Sequence, residues 1–270
     1  MQLDKRYNNI YSNNFILEII RGNVPGHGFI RKFFRNPSTA LNTDEDMWDY
    51  AATEDTYTYT ADTGADYYIF SSNATDNQLV QLNLLDSNFR VRIEYITLNG
   101  KTPVKVATRK HTRVYRMFNA LGSPFAGNIF CTEGDGVTDG APDDTADVRA
   151  YISIGNEQTQ MCHFTIPNEM HGLLLGFEGS VVKKQAAAVD VNAFARLPGS
   201  SFRIQEYIGL NTTGTSYATK IYATPILVPP RTDLKVRCNA SVATVGVTGG
   251  YELIVCENQY VSNEENRIIL

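Results

Sequence analysis

Apolar and polar side chains alternate along residues 89–98, which is the most regular pattern in the chain. The apolar positions are Phe89, Val91, Ile93 and Tyr95. A period of two predicts a β-strand with one buried face, here the apolar one. The following Asn99-Gly100 pair is typical of a type I′ turn, so the sequence predicts a hairpin whose second strand lies in Val104–Ala107.

Similar short apolar patterns recur along the chain, and glycine or proline interrupts them about every 8–12 residues, a spacing typical of all-β proteins. The long stretch Gln158–Cys238 contains Leu173–Leu175, an apolar run that predicts a central strand covered on both faces. Helical periodicity is weak throughout. The sequence therefore predicts an all-β fold, an antiparallel β-sandwich of the jelly-roll type.

Residues 1–60 do not show this regularity. Phe15–Ile20 is apolar and fits a strand or a short helix, but Arg21–Gly26 contains glycine and proline and ends it. Four large apolar residues, at positions 29, 30, 33 and 34, then alternate irregularly with basic ones and need burial against the chain's own β domain or another subunit. We favour another subunit, which divides the chain into an extended irregular N-terminal docking arm (1–60) and a β-sandwich domain (61–270). On this interpretation, removal of the arm leaves a folded domain that no longer docks.

The candidate interaction residues follow from this division. Trp48, the single tryptophan, lies in an acidic segment and is interpreted as an interface anchor or a core residue. The other candidates are basic or aromatic side chains of the arm. The full set is Arg21, His27, Phe29, Arg31, Lys32, Phe33, Phe34, Arg35 and Trp48.

Charge is distributed unevenly along the 270 residues, whose net charge is −5. Residues 1–36 carry six basic and two acidic side chains, whereas residues 37–62 carry seven acidic side chains and no basic one. Such a segment suits a partner of mixed charge or a second copy of the chain. No apolar run is long enough to span a membrane, so we expect no membrane partner.

No chemical motif predicts catalysis, and the chain is not expected to be an enzyme. The acidic loop Glu133–Asp147 lacks two of the oxygen ligands of a calcium-binding EF-hand loop. The four histidines are scattered, and the four cysteines fit buried thiols of a reducing cytoplasm better than a zinc site. We therefore predict no cofactor and no metal.

Basic side chains on the predicted strands could follow a phosphate backbone, but they fit the solvent face of a sheet better, so no nucleic-acid partner is predicted. These residues are Arg90, Arg92, Arg109, Lys110, Arg113 and Arg116.

Several short blocks together resemble accessory virion proteins of tailed bacteriophages. The blocks are Arg21–His27 with Lys32 and Arg35–Asn36, Asp46–Tyr50, Glu94–Gly100, Tyr115–Arg116, Gly127–Ile129, Asn156–Met161, Phe164–Pro167 and Arg231–Val236. They cover most of the chain, but Gly28-Phe29 and Phe34 depart from the first block. The resemblance carries no catalytic positions.

The resemblance implies a structural component of a bacteriophage virion, made in the host cytoplasm, that decorates or cements the capsid or belongs to the tail. Its implied partners are the major capsid protein or other virion proteins. With the apolar arm, the resemblance also implies self-association, which we predict as a homotrimer. The alternative is a tail or fibre module that binds a host-surface glycan, for which the fifteen tyrosines give weak support.

Overall fold

The computed structural model describes residues 14–182 and 186–261. A short helix, α1 (Phe15–Ile20), comes first, and the side chain of Asn14 accepts a hydrogen bond from the Leu17 amide to cap it. The structure is otherwise built of antiparallel β-strands, which confirms the predicted all-β fold.

The first nine strands are β1 (His27–Asn36), β2 (Glu45–Asp46), β3 (Tyr67–Ser71), β4 (Leu79–Asp86), β5 (Val91–Thr97), β6 (Val104–Lys105), β7 (His111–Leu121), β8 (Ile129–Glu133) and β9 (Val137–Thr138). The remaining strands are β10 (Ala141–Pro142), β11 (Val148–Ile152), β12 (Phe164–Thr165), β13 (Met170–Val182), β14 (Ala188–Arg196), β15 (Arg203–Asn211), β16 (Tyr217–Val228), β17 (Asp233–Ala240) and β18 (Gly246–Glu257). Two 3₁₀ turns lie at Thr145–Asp147 and Asn258–Tyr260.

Two sheets contribute to a first hydrophobic core. One has the strand order β1-β18-β13-β16, and the other has the order β12-β17-β14-β15, with β2 also paired to β17. Large buried members of this core are Phe34, Phe164, Ile166, Phe177, Val191, Val236, Tyr251 and Leu253. β13 lies between β18 and β16, so the predicted central strand is confirmed.

Two further sheets form a second hydrophobic core. Their strand orders are β5-β4-β7 and β11-β8-β3-β6. Large buried members of this core are Trp48, Tyr67, Ile69, Phe70, Leu82, Met117 and Ile129. The four larger sheets are arranged in a propeller-like manner and do not form a clear jelly-roll sandwich.

The chain enters and leaves the second core at one place. Met47 belongs to the first core and Trp48 to the second, and the reverse change occurs between Met161 and Cys162. The two crossings run side by side, because the Cys162 amide donates to the Met47 carbonyl at 3.0 Å. Residues 48–161 are therefore an insertion in the part of the chain that forms the first core. We call the part with the first core the first body and the inserted residues 48–161 the second body. The cores do not follow the predicted division at residue 60.

The irregular structure predicted for the N-terminal segment is wrong for His27–Asn36, which form β1. Residues 37–60 contain only the two-residue strand β2, and residues 1–13 lie outside the described part. β1 pairs with β18 over ten residues, and Lys32, Phe34 and Asn36 point inward while Arg31 and Phe33 are exposed. The sequence does not show this alternation as an apolar pattern, because the inward position 32 is a lysine. Its ammonium is accommodated by a hydrogen bond of 2.6 Å to the Tyr115 carbonyl.

The predicted hairpin after residue 98 is also wrong, both in its pairing and in its turn type, although the chain does turn there. The Thr102 amide donates to the Asn99 carbonyl, so Gly100 and Lys101 are the central residues, and of these only Gly100 has a positive φ, of 55°. A type I′ turn needs a positive φ at both central residues. A Cβ on Gly100 would collide with the Ala74 carbonyl oxygen. The chain after this turn nevertheless pairs with β3, and β5 pairs with β4.

Candidate functional site at the junction of the two cores

Cationic and aromatic side chains alternate where the two cores meet. In order they are Arg231, Phe89, Arg113, Tyr59, Arg196, Phe202 and Lys235. Successive distances from the cation to the ring centroid lie between 4.4 and 5.2 Å. Arginine suits such a stack because its planar guanidinium packs on an aromatic face and still donates hydrogen bonds in its own plane. We call this arrangement the cation–aromatic stack.

An ion chain connects the three arginines of the stack. Asp233 accepts from Arg196 Nη2 at 2.5 Å and from Arg113 Nε at 3.0 Å. Asp62 accepts from Arg113 Nη2 at 3.4 Å and from Arg231 Nη2 at 2.9 Å. Each carboxylate thus bridges two guanidinium groups, and the chain ends in an arginine on both sides. Its three positive and two negative groups leave one net positive charge.

Arg113 joins the two cores. It belongs to β7 in the second body, whereas its partner Asp233 begins β17 in the first, and the two side chains are each only 5% exposed. Without Asp233, Arg113 would keep only the longer contact to Asp62, at 3.4 Å. Removing one partner of a buried ion pair costs about 3–5 kcal/mol. The pair therefore fixes how the two bodies meet.

Two residues at one end of the stack hold unfavourable backbone conformations. Phe89 has a φ of 58° and Arg231 a φ of 60°, although neither is glycine. Such positive values cost free energy and persist only where surrounding contacts enforce them. The Phe89 carbonyl accepts a hydrogen bond of 3.0 Å from the Asn168 amide, which ties its turn to the first body.

A cavity of about 240 Å³ opens beside the ion chain. Its polar lining includes Tyr59, Asp62, Arg113, Arg196, Ser200 and Arg231. Among the described residues, Arg231 Nε and the Tyr59 hydroxyl are buried polar atoms without a hydrogen-bond partner. Buried donors are normally paired, so these two atoms mark a site with unused hydrogen-bonding capacity.

A second polar cluster lies deeper, around the fully buried Asp46. This carboxylate accepts from the Tyr57 amide at 2.8 Å and forms an ion pair with Lys235 at 3.0 Å. His163 Nε2 lies 3.8 Å from the Asp46 carboxylate and 3.8 Å from Cys162 Sγ. In a catalytic triad, the acid and the nucleophile contact opposite nitrogens of the imidazole, so this cluster lacks the geometry of a triad.

The protonation of this cluster agrees with a structural role. Burial raises the pKa of the Cys162 thiol to about 12 and lowers the pKa of His163 to about 4. Both groups are therefore neutral at pH 7, and the thiol is not activated. Burial also lowers the pKa of Lys32 to about 7. All four cysteines are buried and free of disulfides.

The candidate interaction residues from the sequence are not brought together into one site. Phe34 and Trp48 lie in different cores and Lys32 is buried, so the folded chain does not present these three as docking contacts. The others have varied surroundings. Arg21 pairs with Glu18, and the His27 ring packs at a tilt against that of Tyr260. Phe29 lies opposite Ile254 in the sheet, and Phe33 is exposed. Arg31 lies 3.6 Å from both Glu178 and Glu252, and Arg35 binds Asp49. A docking role for the exposed members stays a prediction.

The acidic loop has its own internal contacts. Asp139 pairs with Lys101 at 2.6 Å, and the Asp144 side chain caps a 3₁₀ turn. Within residues 14–182 and 186–261, no group of three histidine, cysteine, aspartate or glutamate side chains is placed to hold a metal ion. No helix of that described part is long and apolar enough to cross a membrane.

Sequence reasoning missed most of the cation–aromatic stack. It assigned Arg113 to the solvent face of a sheet, which is wrong because the side chain is buried between the cores. Tyr59 and Arg196 were not singled out, because they are distant in sequence and match no motif. Arg231 entered only as the first residue of the block Arg231–Val236, without a role of its own. One local signal was available, the Pro-Pro-Arg turn ending at Arg231 beside Asp233.

Two sets of apolar side chains remain exposed on strands at sheet edges. On β5, Val91, Ile93 and Tyr95 face outward, the reverse of the predicted orientation, because Arg92 pairs with Asp86 on the more buried side. We call these three residues the β5 patch. The adjacent edge strands β15 and β16 also carry exposed apolar residues, Ile204 and Tyr207 on β15 and Tyr217 and Ile221 on β16. The two pairs lie on opposite sides of this edge, because Glu206 of β15 and Tyr222 of β16 contact each other between them. We call this edge with its four residues the β15/β16 patch. Ile204 is 59% and Ile221 81% exposed.

No protein-family model and no curated protein sequence matches the chain. Among solved structures, the chain is similar to one of infectious bursal disease virus, Gt strain, with 9% sequence identity and a TM-score of 0.25, covering 92% of this chain and 79% of that chain. For the Gx strain the identity is 9%, the TM-score 0.20 and the coverage 86% and 76%. For T=1 particles derived from infectious bursal virus the identity is 10% and the TM-score 0.14, covering 86% of this chain and 74% of that chain. TM-scores of this size carry no argument about function.

Proposed function

We propose that this protein is a structural component of a bacteriophage virion, where it decorates or cements the capsid and associates with copies of itself as a homotrimer. The sequence blocks that resemble those of accessory virion proteins support a place for this protein in the virion. The structural observation that carries the proposal is the pair of exposed apolar patches on edge strands. Open strand edges with large apolar side chains favour pairing with another chain.

The two patches suit a closed ring of copies. A cyclic trimer uses a head-to-tail contact, in which each copy contributes two different surfaces. The β5 patch lies on the second body and the β15/β16 patch on the first. We propose that the β15/β16 patch of one copy contacts the β5 patch of the next. Burial of one large apolar side chain contributes roughly 1.5–3 kcal/mol, so several together stabilise a typical interface.

Mutation of each patch tests the contact. Light scattering coupled to size exclusion should give a trimeric mass for the wild type, and both Ile93→Glu and the double variant Ile204→Glu/Ile221→Glu should be monomeric. Leu121→Glu is the matched control, since Leu121 is 71% exposed but belongs to neither patch. It should remain trimeric.

Mixing the two patch variants gives a sharper result. Each retains one intact patch, so an equimolar mixture should form a heterodimer and stop there. A mixture that stays monomeric would refute contact between these two patches, and a monomeric wild type at micromolar concentration would refute the trimer.

The place in the virion requires a separate measurement. Particles assembled without the protein should bind it in co-sedimentation, and electron microscopy should show added density on the capsid surface. Density on the tail, or no binding, would refute the decorating role. The patch variants should bind particles more weakly, because a trimer attaches at several points.

A further inference from the structure

We propose that the cavity beside the cation–aromatic stack binds the carboxylate of an acidic sugar, such as a hexuronic acid. This goes beyond the structural role proposed above and gives the alternative role, glycan binding, a definite site. The inference depends on the ion chain, the unpartnered Nε of Arg231 and the size and lining of the cavity.

The ion chain contains three arginines but only two carboxylates, so one positive charge is not balanced within it. Asp233 and Asp62 each bridge two guanidinium groups, and Arg113 in the middle also donates to two backbone carbonyls. The terminal arginines, Arg196 and Arg231, line the same cavity, and among the described residues each has one carboxylate partner. A third carboxylate in the cavity would balance the charge of the chain.

The hydrogen-bonding groups point to the same class of ligand. Arg231 Nε is buried without a partner, and a guanidinium presents its Nε and Nη donors as a fork that matches the two oxygens of a carboxylate. The positive φ of Arg231 is the kind of backbone strain that concentrates at binding sites.

The size and lining of the cavity favour a sugar acid over a larger ligand. A cavity of about 240 Å³ lies below the usual 300–1,000 Å³ of pockets for drug-sized molecules, roughly the room for one monosaccharide. Ser200, Pro198 and Gly199 line it as well, and they bring a hydroxyl and peptide groups to the cavity. Such groups suit the hydroxyls of a sugar ring.

A change at Asp62 distinguishes an anion-binding site from an ion network that only stabilises the fold. Its side chain is 54% exposed, and it competes with an incoming anion for Arg231. Asp62→Asn keeps the shape but removes one negative charge, so the site should bind an anion more tightly. A network that only stabilises the fold would lose stability and gain no affinity.

The binding experiment uses the full chain and sodium glucuronate, titrated at low salt and followed by calorimetry or ligand-observed NMR, with glucose as the neutral match. We expect glucuronate to bind and glucose not to. Arg231→Gln should weaken binding roughly tenfold or more, because it removes a charge-assisted hydrogen-bond donor. Asp62→Asn should tighten it roughly three- to tenfold.

The matched control is Arg116→Gln. Arg116 also stacks on an aromatic ring, that of Phe118 at 5.3 Å, and donates to Gln158, but it does not line the cavity. Its affinity for glucuronate should equal that of the wild type. Urea unfolding shows whether each variant is folded. If Arg231→Gln does not fold, Asp62→Asn still tests the site independently.

Three results would overturn the proposal. Equal binding of glucuronate and glucose, or an unchanged affinity in both pocket variants, removes the anion site. Sulfate that binds as tightly as glucuronate makes the site an unselective anion site. A short glutamate-rich peptide that binds more tightly than glucuronate assigns the pocket to a partner protein. Arg231→Gln should leave the trimeric mass unchanged, so failure here is distinguishable from failure of the proposed virion role.

Discussion

Replacing Phe34 by alanine should destabilise the whole first core, although the sequence alone placed this residue in a docking arm. Phe34 is 2% exposed, and its ring lies 5.9 Å from that of Tyr251. Its Cε2 atom would lie 2.6 Å from a Cβ on Gly249, so the glycine makes room for the ring. The neighbouring wall is backbone, which cannot collapse into the space that alanine would leave. Phenylalanine-to-alanine changes in such cores cost about 3–5 kcal/mol.

The neighbouring Phe33 gives a matched control on the same strand. It is 37% exposed, so Phe33→Ala should cost less than about 1 kcal/mol of unfolding free energy. Domains of this kind have a total stability of about 5–15 kcal/mol, so the loss in Phe34→Ala is a large fraction of the whole.

Urea unfolding followed by two signals is the appropriate assay. Trp48 is the single tryptophan and lies in the second core, so its fluorescence reports on that core, whereas far-UV circular dichroism reports on both. We expect Phe34→Ala to shift the dichroism midpoint strongly. Equal midpoints for Phe33→Ala and Phe34→Ala would refute the packing of β1 in the core and restore the docking arm. By the same reasoning, a truncation that starts at Tyr57 removes β1 and should not leave a folded protein.

Further predictions concern packing, pH and the junction. Gly249→Ala should lower the unfolding free energy by about 1–3 kcal/mol through overpacking, whereas Gly214→Ala, with open space around it, should leave the melting temperature unchanged. Burial lowers the pKa of His111 and of His163 from 6.5 to about 4, so the unfolded chain takes up protons that the folded one excludes. Stability should therefore be complete above about pH 6.5 and fall towards pH 4, by up to about 1.4 kcal/mol per pH unit for each histidine; a flat profile in urea unfolding would contradict this. Asp233→Asn should lower the unfolding free energy by about 3–5 kcal/mol in the same assay, because Arg113 and its positive charge stay buried. A decrease below about 1 kcal/mol would contradict the role of the Arg113–Asp233 pair in joining the two cores.

The sequence predicted the strands and turns better than their partners. Alternation over residues 89–98 and the Asn99-Gly100 turn are local signals, and both correspond to features of the structure. Which strand pairs with β5 depends on contacts between distant residues, which a local pattern does not contain. The predicted hairpin was therefore wrong in its pairing, although the chain does turn at Asn99-Gly100.

Buried charges account for most of the remaining errors. Lys32 interrupts the apolar face of β1, and Arg113 on β7 resembles a solvent-facing arginine, because a residue type does not reveal whether its charge is paired inside. The outward β5 patch is the opposite case, apolar side chains left exposed on an edge strand. Both departures from the usual pattern fall where the two cores meet or where we propose contact between copies, and local conflicts of this kind are expected at functional sites.

The pairing of β1 with β18 also determines the order in which the protein can fold. His27 lies opposite Cys256, so the first described strand can pair fully with its neighbour only after residue 256 has been synthesised. Residues 48–161 are contiguous and contain all the buried residues of the second core, which can therefore form earlier. Contacts between such distant residues slow folding. We expect the inserted body to form first on the ribosome, with β1 unpaired and prone to aggregation until β18 closes the first sheet.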